Sequence, residues 1–393
     1  MKPTLHIWPQ EIETAGQETI LSTRLELEGH DSKTLWYRLP DCYNDWLTSN
    51  SDPFVAGTVL WAMRRARAVV VHGEVSPSLL KNLETLQEIW HRWRPHRYQP
   101  ISIHAERECE VTVSQSEERL AISAFSGGVD SCYTLARHGR QSLGRRQENL
   151  VAGLMVHGFD IPLEAAATFQ NAFKRAQQMV ASLDLELVPL TTNLRDILDV
   201  SWEDNHGCAI ASCFLALQGR FRVGLIASSC SYESLVFPWG STTLTDRLLS
   251  SQAMEIIHDG AERNRLDKME ALLGWPEALE NLRVCWKGPS LDRNCCRCDK
   301  CIRTILAFRA LGCEQQPACF PKPVSNTHLR GLRMQGAGLR EMTFLCQMAR
   351  SRGVQAQWIA VLEATIRRNH LINQIDRRLP ETWRQGIRRL LKR

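Results

Sequence analysis

The chain has 393 residues, which exceeds the usual size of one domain and predicts two or three structural units. Its hydrophobic fraction of 44% and charged fraction of 23% are ordinary for a soluble globular protein, and its net charge is only +5. No apolar run reaches the roughly 18 residues of a membrane span, and the first residues lack the apolar segment of a signal peptide. We therefore expect a cytoplasmic protein without a membrane partner.

Residues 1–116 are predicted to form a mixed α+β module of unknown role. Apolar and alternating stretches predict three strands, at Thr23–Glu28, Leu35–Leu39 and Ala68–His72. Helical spacing predicts two helices, at Phe54–Arg67 and Pro77–Trp93. The module carries no recognisable catalytic constellation. Core packing is expected for the aromatic residues near the end of the second helix, Trp90, His91, Trp93 and His96, with stacking on a ligand as the alternative.

The next predicted strand, Leu120–Phe125, leads directly into the loop Ser126-Gly127-Gly128-Val129-Asp130-Ser131, and a helical pattern follows. Two glycines let the backbone turn tightly and approach a ligand. The N–H groups and the dipole at the start of the following helix favour negative charge, and the serines add hydroxyl donors. The lysine of the Walker A pattern is absent, which excludes an ordinary P-loop kinase or GTPase site. The alternative reading is a plain Gly-Gly turn without a ligand.

These six residues resemble the PP-loop, S-G-G-x-D-S, of the ATP pyrophosphatase superfamily. The resemblance implies a HUP-type, Rossmann-like fold whose loop holds the pyrophosphate end of ATP while a substrate oxygen attacks the α-phosphate. The products would be an adenylate and pyrophosphate. The ATP-binding residues that it implies are Ser126, Gly127, Gly128, Val129, Asp130 and Ser131.

Residues 117–284 alternate strand and helix and are predicted to be this ATP pyrophosphatase domain. The further strands are predicted at Leu150–Val156, Leu185–Leu190, Val223–Ala227 and Met254–His258, and the helices at Glu164–Leu183, Cys208–Leu217 and Ala261–Leu273. Such alternation indicates an α/β fold with a parallel sheet covered by helices on both faces. Ligands in such sheets bind at the carboxyl ends of the strands, which places His157–Asp160, Ser228–Ser229 and Asp259 beside the loop.

Three charged residues are candidates for catalysis on ATP. Asp130 is the expected partner of Mg²⁺, because this ion prefers one or two carboxylates together with phosphate oxygens. In PP-loop enzymes a lysine that opens the helix after a late strand reaches the ATP phosphates, and Lys268 fits that position. Arg265 is a second candidate, since residues i and i+3 share one face of a helix. The alternative is an exposed helix pair.

Cysteines bunch in one place, between residues 285 and 320, although fourteen are spread along the chain. Cys295, Cys298 and Cys301 are spaced as C-x-x-C-x-x-C ahead of a predicted helix, Asp299–Leu311, and Cys285 lies ten residues upstream. Four thiolates converging on Zn²⁺ would form a closed, structural tetrahedral site. The alternatives are an iron–sulfur cluster and scattered free thiols. A fifth thiol, Cys296, is a bystander or a reactive cysteine.

Loop and cysteine spacing together resemble the 7-cyano-7-deazaguanine synthase family, over about Leu120–Leu311. That family carries a C-terminal zinc site written as a lone Cys, a gap, then Cys-Gly-x-Cys-x-x-Cys. Two departures put the substrate in doubt: residues 203–208 replace the family's Val-Pro-x-Arg-Asn signature, and residues 237–246 replace its purine-contacting segment. His206, in the first of these segments, is a candidate substrate ligand or proton shuttle, or a structural residue at a helix start.

Residues 321–393 are predicted to form a basic helical extension. Residues 322–393 hold fifteen basic and four acidic side chains. Such a region suits nucleic acid, an acidic protein partner or anionic lipid, and the alternative is a solvated helical face. The leading expectation for the whole chain is an ATP-dependent enzyme that adenylates a small or macromolecular carboxylate or amide, with a homodimer kept as an option. The rivals are a sulfur transferase using Cys132, Cys208 or Cys230, and a nucleotide-sensing or conjugating component of a bacterial defence system.

Overall fold

The computed structural model describes residues 2–111, 118–288, 290–313 and 315–378. The chain divides into two compact units between Trp286 and Lys287. The expected boundary at 116/117 and the end of the basic extension, 379–393, lie outside the described residues. No helix within the described ranges is both long enough and apolar enough to cross a membrane.

The first unit is built on one sheet of eleven strands, most of whose neighbours run parallel. The strands are β1 Thr4–Pro9, β2 Glu13–Ala15, β3 Glu18–Leu27, β4 Lys33–Pro40, β5 Ala68–Val75, β6 Ser102–Glu108, β7 Leu120–Ala124, β8 Asn149–His157, β9 Glu186–Thr192, β10 Val223–Ala227 and β11 Glu255–Asp259. Their order across the sheet is β11-β10-β7-β8-β9-β4-β3-β1-β5-β6, with β2 paired to β3.

Helices of the first unit connect and cover these strands. They are α1 Asp52–Arg65, α2 Pro77–Trp93, α3 Val129–Gly139, α4 Ala166–Ala181, α5 Leu194–Ile197, α6 Trp202–Ala216, α7 Arg265–Ala271 and α8 Pro276–Asn281. The helix predicted over Ala261–Leu273 begins later, at Arg265, because the Asn264 side chain accepts hydrogen bonds from the N–H groups of Leu266 and Asp267 and so caps the helix there.

Five strands, β9-β8-β7-β10-β11, form a wholly parallel half of the sheet. Along the chain, β8 and β9 are added on one side of β7, and β10 and β11 are then added on its other side. Consecutive residues of β7 point to opposite faces, yet Leu120 to Ser123 are all buried, so both faces are covered. The α/β architecture expected from the sequence is confirmed at this level. In such sheets the crevice between the two strands where the order reverses, here β7 and β10, receives ligands.

The other half of the sheet is mixed and joins the parallel half through β4 and β9. These strands pair antiparallel, with Tyr37 opposite Thr192 and Arg38 opposite Thr191. Burial alternates along β4, with Leu35, Tyr37 and Leu39 turned into the core. The strands of the predicted N-terminal module and those of the predicted ATP pyrophosphatase domain therefore belong to one continuous sheet.

A tight helix pair, α1 on α6, contributes to the core of the first unit. Gly57 makes this approach close, because a Cβ atom there would lie 2.9 Å from Leu194 Cδ1 and 3.2 Å from Ser212 Cβ. Both helices are buried over most of their length, which agrees with their nearly continuous apolar sequences.

The second unit is helical where the structure describes it, with α9 Asp299–Ala310, α10 Asn326–Gly331, α11 Gly336–Ser351 and α12 Gln357–Arg378. Buried Asn369 on α12 accepts from the N–H of Met334 (2.9 Å) and donates to the carbonyl of Leu332 (3.0 Å). An ion pair joins Arg303 on α9 to Glu341 on α11. The basic segment is thus partly a packed helical core, with Leu345, Ile359 and Leu362 among its buried residues.

Candidate nucleotide site and cysteine cluster

The loop between β7 and α3 is shaped by its own serines and glycines. Gly127 has a φ of +72°, a left-handed conformation that favours glycine. Ser126 N–H donates to Ser131 Oγ (3.3 Å), Gly128 N–H donates to Ser126 Oγ (3.3 Å), and Ser131 Oγ donates to Gly128 O (3.1 Å). The two hydroxyls therefore hold the turn in shape, a role that the sequence did not predict for them.

The amino end of α3 is suited to an anion. Gly128 is the N-cap residue, and it has no side chain that could accept from the N–H groups of the first turn. α3 is three turns long, so its dipole adds partial positive charge at this end. Uncapped amides and a helix dipole are the two features that favour an anion at a helix N-terminus.

Asp130, in the first turn of α3, is held between two cations from α7. Arg265 Nη1 lies 2.9 Å from Asp130 Oδ2, and Lys268 Nζ lies 3.4 Å from Asp130 Oδ1. Arg265 and Lys268 lie three residues apart on α7 and both contact Asp130, so they share one face of the helix as their i, i+3 spacing predicted. Two positive charges against one negative leave this cluster with an excess charge of +1 beside the loop.

Lys268 is almost completely buried, with 1% of its surface exposed, which argues against an exposed helix pair. Its Nζ also donates to Ser228 O at the carboxyl end of β10, and it lies 5.9 Å from the centre of the Tyr133 ring. A buried ammonium is costly unless it is paired, so these contacts explain how the fold tolerates it. Lys268 therefore connects the ends of β7 and β10, the two strands that flank the crevice.

Arg283 also contacts the loop, and sequence reasoning missed it. Its backbone N–H donates to Gly127 O (2.7 Å), and its Nη2 donates to Ser126 O (3.1 Å). The same guanidinium lies 3.5 Å from Asp160 Oδ2, in the segment after β8. Its side chain is 8% exposed. Neither periodicity nor any motif marks an arginine whose partners on the loop are backbone carbonyls.

The carboxylate of Asp259, at the carboxyl end of β11, is engaged by side chains of α3. Its carboxylate accepts from Thr134 Oγ1 (2.8 Å) and lies 3.2 Å from His138 Nε2 and 3.8 Å from Arg137 Nη1, all on α3. Burial opposes the charged form of Asp259, but these contacts outweigh it and lower its pKa. Asp259 is thus a buried anchor of α3.

His206 lies on α6 with its Nδ1 3.1 Å from the carbonyl of Trp202 and its ring 5.3 Å from that of Trp239. Burial lowers its pKa, and this effect outweighs the hydrogen bond to Trp202 and the charges of Asp246 and Asp160. The imidazole is therefore neutral at pH 7. The contact with Trp202 lies within α6, whereas the contact with Trp239 joins segment 203–208 to segment 237–246.

Cys285, Cys295, Cys298 and Cys301 come together with their sulfur atoms all within 4.8 Å of one another. A tetrahedral Zn²⁺ about 2.3 Å from each sulfur separates the sulfurs by about 3.8 Å, and Cys295 Sγ lies 3.9 Å from Cys301 Sγ. The donor set and its spacing therefore fit a thiolate-bound metal such as zinc.

Backbone N–H groups support two of these sulfurs. The N–H of Cys298 donates to Cys295 Sγ (3.3 Å), and the N–H of Cys301 donates to Cys298 Sγ (3.5 Å), which suits charged thiolates. Cys296 is not in the set: it has a φ of +59°, it is buried, and burial raises the pKa of its thiol. A raised pKa argues against Cys296 as a reactive thiolate.

No family model matches the chain, and comparisons with curated proteins and with solved structures give no match either.

Proposed function

We propose that the chain is an ATP-dependent, adenylate-forming enzyme with its nucleotide site at the Ser126–Ser131 loop. The observation that carries this proposal is the meeting of Lys268 and Arg265 on Asp130, at the uncapped amino end of α3. Helix amides, two cations and a carboxylate in the crevice between β7 and β10 are what a polyphosphate with a divalent cation requires.

In the proposed reaction a carboxylate or amide oxygen of the substrate bonds to the α-phosphorus of ATP. The bond from that phosphorus to the bridging oxygen breaks, and pyrophosphate leaves. Ammonia, an amine or a sulfur donor then attacks the activated carbon, and AMP leaves with the former substrate oxygen. The first step moves negative charge onto the pyrophosphate, so fixed donors that face it lower the barrier.

Each residue has a role that follows from its contacts. The amides at Gly127, Gly128 and Val129 would bind the pyrophosphate end, and Lys268 and Arg265 would stabilise the charge that develops there. Asp130 orients both cations and would hold Mg²⁺ through water, an ion that neutralises phosphate charge when bound.

The cysteine cluster would hold Zn²⁺ as a closed site, because four protein sulfurs leave no position for a substrate. Its role in this proposal is structural. The acceptor would bind in the crevice on the side of His206 and Trp239, since these residues lie in the segments that distinguish the chain from the family that it resembles.

The test is incubation of the purified protein with α-labelled ATP, Mg²⁺ and a panel of carboxylates and amides. Release of labelled AMP together with pyrophosphate, lost in Asp130→Asn, is the expected result. The matched control is Arg220→Ala, an exposed arginine that precedes the amino end of β10, and it should retain activity. Failure to bind ATP, or release of ADP and phosphate, would refute the proposal.

Sulfur transfer is a second candidate, and one observation favours a particular thiol for it. Cys132 and Cys208 are buried, whereas Cys230 is partly exposed and follows Ser228, the residue whose carbonyl accepts from Lys268. A persulfide on Cys230 would therefore lie in the segment that leaves the end of β10. Unchanged thiolation by Cys230→Ser would remove this candidate.

A further inference from the structure

Arg283 holds the loop Ser126–Ser131 in place through hydrogen bonds to two carbonyl groups of the loop. It contacts two successive carbonyls, those of Ser126 and Gly127, one through its guanidinium and one through its backbone N–H. In a trans peptide the carbonyl and the following N–H point in opposite directions. Fixing the carbonyls of Ser126 and Gly127 therefore aims the N–H groups of Gly127 and Gly128 away from Arg283.

The N–H of Gly128 is accordingly directed toward Ser126 Oγ, to which it donates (3.3 Å). Arg283 thus orients the amides that an anion would use, from the opposite side of the loop. The guanidinium also lies 3.5 Å from Asp160, so Arg283 joins the segment after β7 to the segment after β8. A charge-assisted bond to a carbonyl is stronger than a neutral one, which makes Arg283 an effective support.

Arg283 precedes the metal ligand Cys285 by two residues. Two residues of chain span at most about 7 Å, so the position of Cys285 restricts that of Arg283 closely. The connecting stretch is packed: Val284 is 6% exposed and Cys285 is 1% exposed. A metal bound to Cys285 would fix this stretch, and without the metal the stretch would lose one of its restraints.

We propose that Arg283 is a positioning residue that couples metal occupancy of the cysteine cluster to the shape of the nucleotide loop. The metal-loaded protein holds the amides of Gly127 and Gly128 in the anion-binding orientation, and the metal-free protein does not. The ligand whose binding would change is the phosphate end of a nucleotide. Only this identification of the ligand rests on the proposed function. The loop itself provides a readout that needs no nucleotide.

The experiment is hydrogen–deuterium exchange on the full chain, with and without Zn²⁺, for the wild type, Arg283→Ala, Arg283→Lys and the control Arg220→Ala. Removing Zn²⁺ from the wild type should speed exchange of residues 125–131 about tenfold, the value of one charge-assisted hydrogen bond. Residues 186–192 of β9 are the internal reference and should not change. Arg283→Ala should show the faster loop exchange even with Zn²⁺, and Arg283→Lys should recover part of the protection.

The decisive comparison combines removal of Zn²⁺ with the Arg283→Ala substitution. If the metal acts through Arg283, removing Zn²⁺ from Arg283→Ala should add little to loop exchange, because the contact is already lost. The proposal would be overturned if the two changes had additive effects on loop exchange, or if exchange of residues 125–131 were the same with and without Zn²⁺. It would also be overturned if removing Zn²⁺ sped exchange in the β9 reference as well.

ATP affinity measured on the same samples separates this inference from the proposed function. Wild-type protein that binds no ATP but shows a Zn²⁺-dependent loop would refute the proposed function and leave the coupling intact. Wild-type protein that binds ATP equally well with and without Zn²⁺, with unchanged loop exchange, would refute the coupling alone. The coupled outcome is a dissociation constant for ATP about tenfold higher in the metal-free protein.

Discussion

Lys268 Nζ lies 3.4 Å from Asp130 Oδ1, although 138 residues separate the two in sequence. The pair exists because α3 and α7 follow β7 and β11, and both helices begin at the carboxyl edge of the same parallel sheet half. Lysine and aspartate therefore meet where the sheet topology favours a ligand.

Replacing Lys268 by methionine tests whether this buried cation acts on ATP. We expect AMP formation to fall at least about 100-fold, because one fixed charge facing the leaving pyrophosphate is lost. Methionine has a similar length and Asp130 keeps its ion pair with Arg265, but Ser228 O loses its donor, so the free energy of unfolding should fall by about 1–3 kcal/mol. Turnover and urea unfolding, measured together, separate the two effects, and turnover within twofold of the wild type would contradict the assigned role.

Gly127 and Gly128 form a matched pair for testing the loop backbone. Gly127→Ala places a side chain at a φ of +72° and should destabilise the protein by about 1 kcal/mol, with a larger loss of ATP affinity. Gly128 has a φ of −84°, which any residue adopts, and a Cβ there would lie 3.2 Å from Ser126 Oγ. Gly128→Ala should therefore cost less stability, and the reverse order in urea unfolding would show that the loop conformation is different.

Metal analysis should find one Zn²⁺ per chain. Cys298→Ser should lose the metal, since it removes one of four sulfurs, whereas Cys296→Ser should keep it. Elemental analysis of the purified variants checks both results. Iron and inorganic sulfide in place of zinc would support the alternative cluster, and an unchanged zinc content in Cys298→Ser would contradict the ligand set.

His157 and His206 should each reduce the stability of the protein as the pH drops below 6.5, whereas Asp52, whose pKa burial raises to about 6, acts in the opposite direction. Burial lowers the pKa values of His157 and His206 from their usual 6.5, so in that range the unfolded chain takes up protons that the folded chain does not. The stabilisation is complete above pH 6.5 and is lost as the pH falls through the window between 6.5 and the lowered values. Urea unfolding at about pH 7 and about pH 5 measures the difference.

His157→Gln is the variant for this test, because a glutamine amide can still donate to Pro162 O, which His157 Nε2 contacts at 2.9 Å. Between about pH 7 and about pH 5 the variant should lose less free energy of unfolding than the wild type does, because only the contribution of His157 is removed and those of His206 and Asp52 are common to both. An equal slope for the two proteins would mean that His157 is not the titrating group.

The sequence predicted the parts of the structure that carry a strong local pattern. Val223–Ala227 and Pro77–Trp93 have the predicted bounds, since apolar runs and helical spacing are read directly from neighbouring residues. The edge strand β6, Ser102–Glu108, was missed because its largely exposed, charged residues give no apolar pattern. β1 was also missed, and it is a short strand that ends at Pro9.

The same distinction applies to the candidate site. The cysteine set could be predicted because zinc ligands have a recognisable spacing, and Lys268 could be proposed because its place after a late strand resembles a known pattern. The role of Arg283 could not be predicted, because this residue contacts the carbonyls of Ser126 and Gly127, more than 150 residues away in sequence. Any residue type offers a carbonyl, so such a contact leaves no trace in composition or spacing.

The antiparallel pairing of β4 with β9 has a practical consequence for shortening the protein. A chain that began at residue 118 would keep the loop, the cations and the cysteines, but β9 would become an edge strand with a row of unpaired N–H and carbonyl groups. Leu194 and Ser212, which α1 covers around Gly57, would be exposed as well. Such a fragment would be prone to aggregate, so the strands and helices of residues 2–111 shield the edge of β9 and the apolar surface around Leu194 from water.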